Sequence, residues 1–393
     1  MLLAAAALAA PAGAAELPLG DASLDERRTE VAVAPGLIWT HIVRGRKSEG
    51  GPWRVDVLQA GPAARVTGLL SNDRVPGRET VGSMARRASA LAAVNGGYFG
   101  SKGIFDGDLV GALALGGRLI SEPVAPRGAV LIPRAGSPVI RRVAFGGSVD
   151  AGGRRRLLDG VNRANGLIPA CGGRDVDHPT TRPDSNSVCS DESELIVFSP
   201  EYGRRAPGAT VQAVVERDAV TRLRNGGGAR IPDRGHVLSG TGSAAAFLRA
   251  SARPTAPVRI DTALTARSAR ILPARYDTIV GGGPLLLRGG RVRLRSRLEG
   301  FQPSFAGRNP RTLAGVNASG ELLLVTVDGR RPGYSVGATL REAAGVMRAL
   351  GARSALNLDG GGSTTMVVEG GVVNRPSDGS ERPVGDALAV LPR

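Results

Sequence analysis

Apolar and polar positions change their period several times along the chain. Short runs such as WTHIV (39–43) and WRVDVLQA (53–60) alternate every second residue, which predicts half-buried strands between about residues 30 and 70. The stretch ETVGSMARRASALAAVNGGYF then predicts a helix over about 80–90 feeding a short buried strand that ends at Asn95, Gly96 and Gly97. From GALALGGRLIS to TVQAVVERDAV the pattern is one of hairpins with glycine-rich turns, and a further short helix and strand are expected between Thr241 and Leu264. RVRLRSRL (291–298) alternates so regularly that it reads as one strand with four arginines on a face.

The clearest pattern is ELLLVTVDGRRPGYSVGATLREAAGVMRALGARSALNLDGGGSTT. A buried strand runs into Asp328. Thr339 and Glu342 then fit a capping box, and Leu340, Ala343, Ala344, Met347 and Leu350 follow at helical spacing before Gly351 stops the helix. A second buried strand ends at Asp359. Such a β-α-β unit joins parallel strands, so both aspartates are expected at the same carboxyl-terminal edge, about 4.8 Å apart for neighbours and twice that with one strand between them. Three strand ends share one motif, in AAVNGG, TIVGGG and LNLDGGG, and would converge on one cleft. The expected fold class is α+β: mixed, strand-rich sheets with a C-terminal β-α-β unit and a few short helices.

Composition sharpens this picture. With 42% hydrophobic residues the 393-residue chain can bury a sizeable core, and 57 glycines with 26 prolines favour short strands and turns over long helices. The opening MLLAAAALAAPAGAA reads as a signal peptide over 1–15, and no later run is long and apolar enough for a membrane span, so a secreted or periplasmic protein is expected. Cys171 and Cys189 bracket a polar segment and read as a disulfide stapling a loop. Asp175, Asp177, His178 and Asp184 lie between them, but match no standard metal spacing. No metal or cofactor is expected.

A net charge of +16 and an isoelectric point near 11.2 imply attraction to polyanions. No zinc-finger, RNP or helix-turn-helix pattern is present, so no specific nucleic acid is expected as a partner. The chemistry gathers at the last motif. Asp328 and Asp359 are the candidate catalytic carboxylates, spaced near the range used in glycoside hydrolysis. Gly360, Gly361 and Gly362 can offer backbone amides to an anion, with hydroxyls from Ser363 and Thr364 and charge from Arg311, Arg330 and Arg382; a plain flexible turn is the alternative. Asn95 and Asn357 would orient sugar hydroxyls or bond strand-end backbone.

VNGGYF, GGGPLLL, NPRTLAGV, VDGR and NLDGGGSTTMVVEGGVVNRPSDGSERPVGDALAV together resemble the phosphodiester glycosidase family over about residues 80–393. The resemblance implies a β-rich segment at 16–79 ahead of a phosphodiester glycosidase domain at 80–393, with the cysteine loop inserted at 165–191 as a departure. It implies a hydrolase that cleaves the glycosidic bond of a sugar-1-phosphodiester or phosphate-containing glycan, and it carries Asn95, Gly96, Arg311, Asp328, Arg330, Asn357, Asp359, Gly360, Gly361, Gly362, Ser363, Thr364, Asn374 and Arg382 as matching positions. Two other readings stand beside it: a phosphodiesterase cutting P–O, and a non-catalytic polyanion-binding envelope protein. The oligomeric state is left open.

Overall fold

The computed structural model describes residues 15–101, 103–169, 188–267 and 269–393. Most of the expected signal peptide therefore lies outside the described residues, as do Cys171, Asp175, Asp177, His178 and Asp184. The chain opens with β1 (Glu26–Ala34), β2 (Leu37–Arg44), β3 (Trp53–Ala60) and β4 (Arg65–Leu70), followed by α1 (Val81–Arg87) and β5 (Ala92–Asn95). Further along come α2 (Gly242–Ser251) and β6 (Tyr276–Gly281). The last third holds β7 (Leu285–Arg288), β8 (Arg291–Val292), β9 (Arg311–Asn317), β10 (Leu322–Val327), α3 (Leu340–Ala349), β11 (Ala352–Asn357), β12 (Met366–Val368), β13 (Gly371–Val372) and β14 (Asp386–Leu391). This is the strand-rich α+β fold expected.

An eight-stranded sheet in the order β1-β2-β3-β10-β9-β11-β7-β8 forms the frame. One face, with Val55, Val57, Leu313, Leu323 and Val325, packs on the apolar side of α3. The other, with Leu58, Ala314, Leu324 and Leu356, packs on a five-stranded sheet ordered β13-β12-β5-β14-β4 through Val94, Met366 and Leu388. The other described sheets are a seven-stranded one containing β6 and, from the middle of the chain, a further five-stranded, a three-stranded and a two-stranded one. Among the described residues no helix is long and apolar enough to cross a membrane.

The β-α-β unit has the expected sense. β9 is antiparallel to both β10 and β11, so these two strands are parallel with one strand between them. Thr339 caps α3 by accepting from Glu342 N, while Glu342 accepts from Thr339 N at 2.7 Å; Gly351 ends the turn with a φ of +85°.

One expectation is corrected. RVRLRSRL is a strand only at Arg291–Val292; the chain then turns into a single 3-10 turn at Ser296–Glu299. Glu299 is buried there, accepting from Gly128 N at 2.9 Å and Leu285 N at 3.0 Å, and drawing that carboxylate inward breaks the two-residue alternation. The Cys171–Cys189 staple reaches beyond the described residues at Cys171, while Cys189 is not a free thiol. Residues 170–187 are flanked by a short antiparallel ladder, Leu167–Pro169 against Val188–Ser190, in which Cys189 sits opposite Ile168.

Candidate functional site

The three glycine-rich strand ends meet. Asp359 N donates to Gly96 O at 3.0 Å, and Gly283 N donates to Asn357 O at 2.7 Å. A Cβ on Gly97 would stand 2.5 Å from Gly281 O, and one on Gly282 2.7 Å from Asn357 O, so backbone packs directly on backbone. Register adds the arginine. Arg311 opens β9 opposite Val327, and Leu313 lies opposite Asn357, which sets Arg311 between the strand ends that lead to Asp328 and Asp359.

Asp359 is half-buried. Burial pushes its carboxyl up to about 6, against the Ser363 hydroxyl, the Gly360 amide at 2.9 Å and the charge of Arg382, which all favour the ionised form. Ser363 Oγ influences the carboxyl in this way, although it meets no partner at full hydrogen-bond geometry. Asn357 Oδ1, Thr364 Oγ1 and Thr365 Oγ1 are buried around it and likewise have no hydrogen-bond partner. Buried polar atoms are ordinarily satisfied, so four such atoms within nine residues mark a place where the fold does not close on itself.

The turn itself differs from an open amide nest. Gly360 N is taken by Asp359, Gly361 N donates to Pro310 O, and Ser363 N and Thr364 N close their own turn on Gly360 O and Gly361 O. What the glycines provide is room for side chains: a Cβ on Gly361 would stand 3.2 Å from the Arg330 guanidinium, and one on Gly362 would overlap Arg382 and Asp378. Arg382 pairs with Asp378 at 2.6 Å. Arg330 is held by Asn309 Oδ1 at 2.8 Å, and buried Arg311 donates to the carbonyls of Ala338, Phe305 and Gly307; neither pairs with a carboxylate among the described residues. Burial lowers Arg311 to about 10.

An aromatic wall adjoins them. Tyr98, Phe301 and Phe305 stack with centroids 4.8–5.9 Å apart, and Arg311 lies over Phe305 at 5.3 Å. The Tyr98 hydroxyl donates to Gly283 O at 2.7 Å and accepts from Asn357 Nδ2 at 2.8 Å; burial first, and the Asp359 charge second, hold it well above the usual tyrosine range.

Other expected residues act as staples in this structure. Asn95 Nδ2 donates to Asp359 O at 2.7 Å while its Oδ1 accepts from Thr312 Oγ1 and Thr365 N. Gly96 N donates to Asp386 O. Asn374 ties Met366 N and Thr364 O to Asp328, whose oxygens also accept from Arg375 N at 2.8 Å and bond the Tyr334 hydroxyl. Burial nevertheless raises Asp328 to about 6.

One carboxyl was not singled out from the sequence. Asp386, at the start of β14, is buried, accepts from Gly97 N at 2.8 Å, and lies so close to Gly96 that a Cβ there would stand 2.5 Å from its Oδ1. Burial pushes it up to about 7, and the Asp359 charge adds to the rise. Its signal was a Gly-Asp pair before an apolar run. Among the described residues no group of three His, Cys, Asp or Glu side chains gathers as a metal site.

Comparison with known proteins agrees with this architecture. Residues 209–391 match the phosphodiester glycosidase family model. A stretch of 83 residues is 40% identical to the SPbeta prophage-derived uncharacterized protein YomE of Bacillus subtilis (strain 168), covering 21% of this chain and 13% of that relative. A crystal structure from Burkholderia pseudomallei K96243, described as a candidate exported protein, superposes with a TM-score of 0.84 at 29% identity, over 96% of this chain and 98% of that one. A hypothetical protein from Synechocystis shares the fold, with a TM-score of 0.75 at 22% identity over 93% of this chain and 64% of that one. The chain thus has a phosphodiester-glycosidase-like fold.

Proposed function

We propose that the protein is a hydrolase that cuts the glycosidic C–O bond of a sugar-1-phosphodiester, releasing the sugar and a phosphomonoester. The observation that carries this reading is the gathering, at one sheet edge, of the half-buried carboxyl of Asp359 and of Arg311 and Arg330, two cations that no carboxylate neutralises among the described residues. The arginines, with Arg382, hold the phosphate. Tyr98 and Phe305 offer an apolar wall to the sugar ring, and Asp359 faces the anomeric carbon.

A phosphodiester leaves more readily than an alcohol, because the bonding electron pair departs onto an oxygen already stabilised as an anion. The demand for a general acid is small. The remaining task is to stabilise positive charge developing at the anomeric centre and to direct water to it, which suits an ionised carboxylate. Water adds its hydroxyl to the anomeric carbon, and its proton passes to a carboxylate or to the departing phosphate. Asp328, with both oxygens engaged, holds the rim in place in this scheme.

The family match and the 29% identical exported neighbour support a secreted or periplasmic hydrolase. The deciding experiment is turnover of sugar-1-phosphodiesters in water enriched in oxygen-18. Label in the released sugar is expected. Label in the phosphate would establish P–O cleavage and retire the glycosidase reading; binding without any product would point to a polyanion-binding protein.

A further inference from the structure

A second cluster of positive charge lies beside this site. Arg54 on β3 and Arg375, just after Asn374, both place their guanidinium groups over the ring of Tyr334, at 4.5 and 5.2 Å from its centroid. Their separation cannot exceed about 10 Å, the sum of those two distances. Cation stacking holds each in place, but two like charges this close repel unless an anion joins them.

The nearby carboxylates are already turned to other partners. Asp328 is occupied by Asn374, the Arg375 amide and the Tyr334 hydroxyl; Asp56 accepts from Trp39 Nε1 at 3.1 Å and lies 2.8 Å from His41 Nδ1. Arg54 Nη1 meets the other ring nitrogen of His41 at 3.4 Å, and Arg54 Nε is buried with no hydrogen-bond partner. Neither Arg54 nor Arg375 pairs with a carboxylate among the described residues.

The cluster is continuous with the first site. The loop from Asp328 carries Arg330 over Gly361 and Arg331 against Pro376 O at 2.9 Å, next to Arg375. Two anion-binding positions therefore lie along one rim, where a single phosphodiester needs one. We infer that Arg54, Tyr334 and Arg375 form a second anion subsite, which takes the neighbouring phosphate of a glycan whose repeats are joined through phosphodiesters. The ligand's class rests on the phosphodiester reading; the subsite rests on the guanidinium pair.

The test is calorimetric binding to Asp359→Asn, which separates affinity from turnover. The probes are one-unit methyl esters and three-unit oligomers of glycosyl 1-phosphates in the glucose, galactose, mannose and N-acetylglucosamine series. In at least one series the three-unit probe should bind about tenfold more tightly at low salt, with the advantage shrinking as salt screens it. Adding Arg54→Gln and Arg375→Gln should bring the ratio of the two affinities to about one. If that variant melts early, Arg375→Gln alone, at an exposed position, carries the test. Equal affinities in every series, or a length advantage that survives both substitutions, would overturn the inference. Should the unsubstituted protein cleave none of these probes while the length effect persists, the hydrolase reading fails and the subsite stands.

Discussion

At the residue scale, two carboxyls on either side of Gly96 divide the work. Asp359 lies among unsatisfied polar atoms, while Asp386 braces the Gly97 amide. Replacing Asp359 by Asn keeps the shape and should cost about a hundredfold or more in kcat, since charge at the reacting centre is lost. On the proposed hydrolysis, the unsubstituted protein should lose kcat/KM below an apparent pKa near 6, where Asp359 takes up a proton. A neutral hydroxyl or amide doing this task would leave the profile flat there. Asp386 gives a stability prediction of a defined sign. Folded, it keeps its proton up to about 7, whereas an unfolded aspartate loses it near 3.8. Its contribution is therefore most favourable below about pH 4, declines as the pH rises to about 7, and leaves a constant penalty above that. Asp386→Asn removes the penalty while an amide oxygen still accepts from Gly97, so melting temperature should rise relative to the unsubstituted protein at pH 8 and change little at pH 4. The equal effect of the substitution at both pH values would show that Asp386 is not protonated in the fold. Asp386 is hard to read from sequence because it stands at the start of a strand, whereas the shared glycine motif marks strand ends. In an antiparallel pair the start of one strand lies beside the end of its neighbour, and the register Ala387 to Asn95 brings this aspartate to the same edge.

At the element scale, what was legible is what local physics specifies strongly. The Thr339–Glu342 box, the apolar stripe of α3 and Gly351 determine a helix without help from distant residues, and the right-handed crossover rule then brings Asp328 and Asp359 to one edge. Thr339→Ala should destabilise the protein by about 1 kcal/mol in urea unfolding with kcat/KM unchanged, because it removes one cap and no site contact. RVRLRSRL is illegible for the opposite reason: its conformation is decided by Glu299 accepting from Gly128 N, 171 positions away in sequence, and no local period records that. The glycine convergence lies between these cases. Gly97 has an ordinary backbone conformation, and what excludes a side chain is Gly281 O. Gly97→Ala should therefore cost about 2–3 kcal/mol and reduce activity, as backbone cannot yield the way a flexible side chain does. A variant with unchanged stability would mean that the strand ends are less tightly joined than this packing requires.

At the scale of the whole molecule, the site is built from the first and last thirds of the chain, the glycine-rich end of β6 among them, while the middle contributes sheets of its own. Strand patterns in the middle were visible, but their pairing was not, since a sheet edge accepts any strand of matching length and face. The ladder of Leu167–Pro169 and Val188–Ser190 shows how far this modularity extends. The ladder register sets Pro169 opposite Val188, and its base is tied to the core: Gly166 N donates to Glu194 Oε2 at 2.6 Å, and buried Arg163 bridges Glu194 and Glu122. Pro169 and Val188 thus stand where a two-residue turn can join them. Replacing residues 170–187 with Asn-Gly, together with Cys189→Ser, should keep the fold and shift the melting temperature by no more than about 3 °C, because the ladder and the Arg163 bridge remain. A collapse in stability would show that the fold depends on the excised segment. Retained stability with a lower kcat/KM on the longer oligomers alone would instead assign the insertion to the recognition of extended substrates.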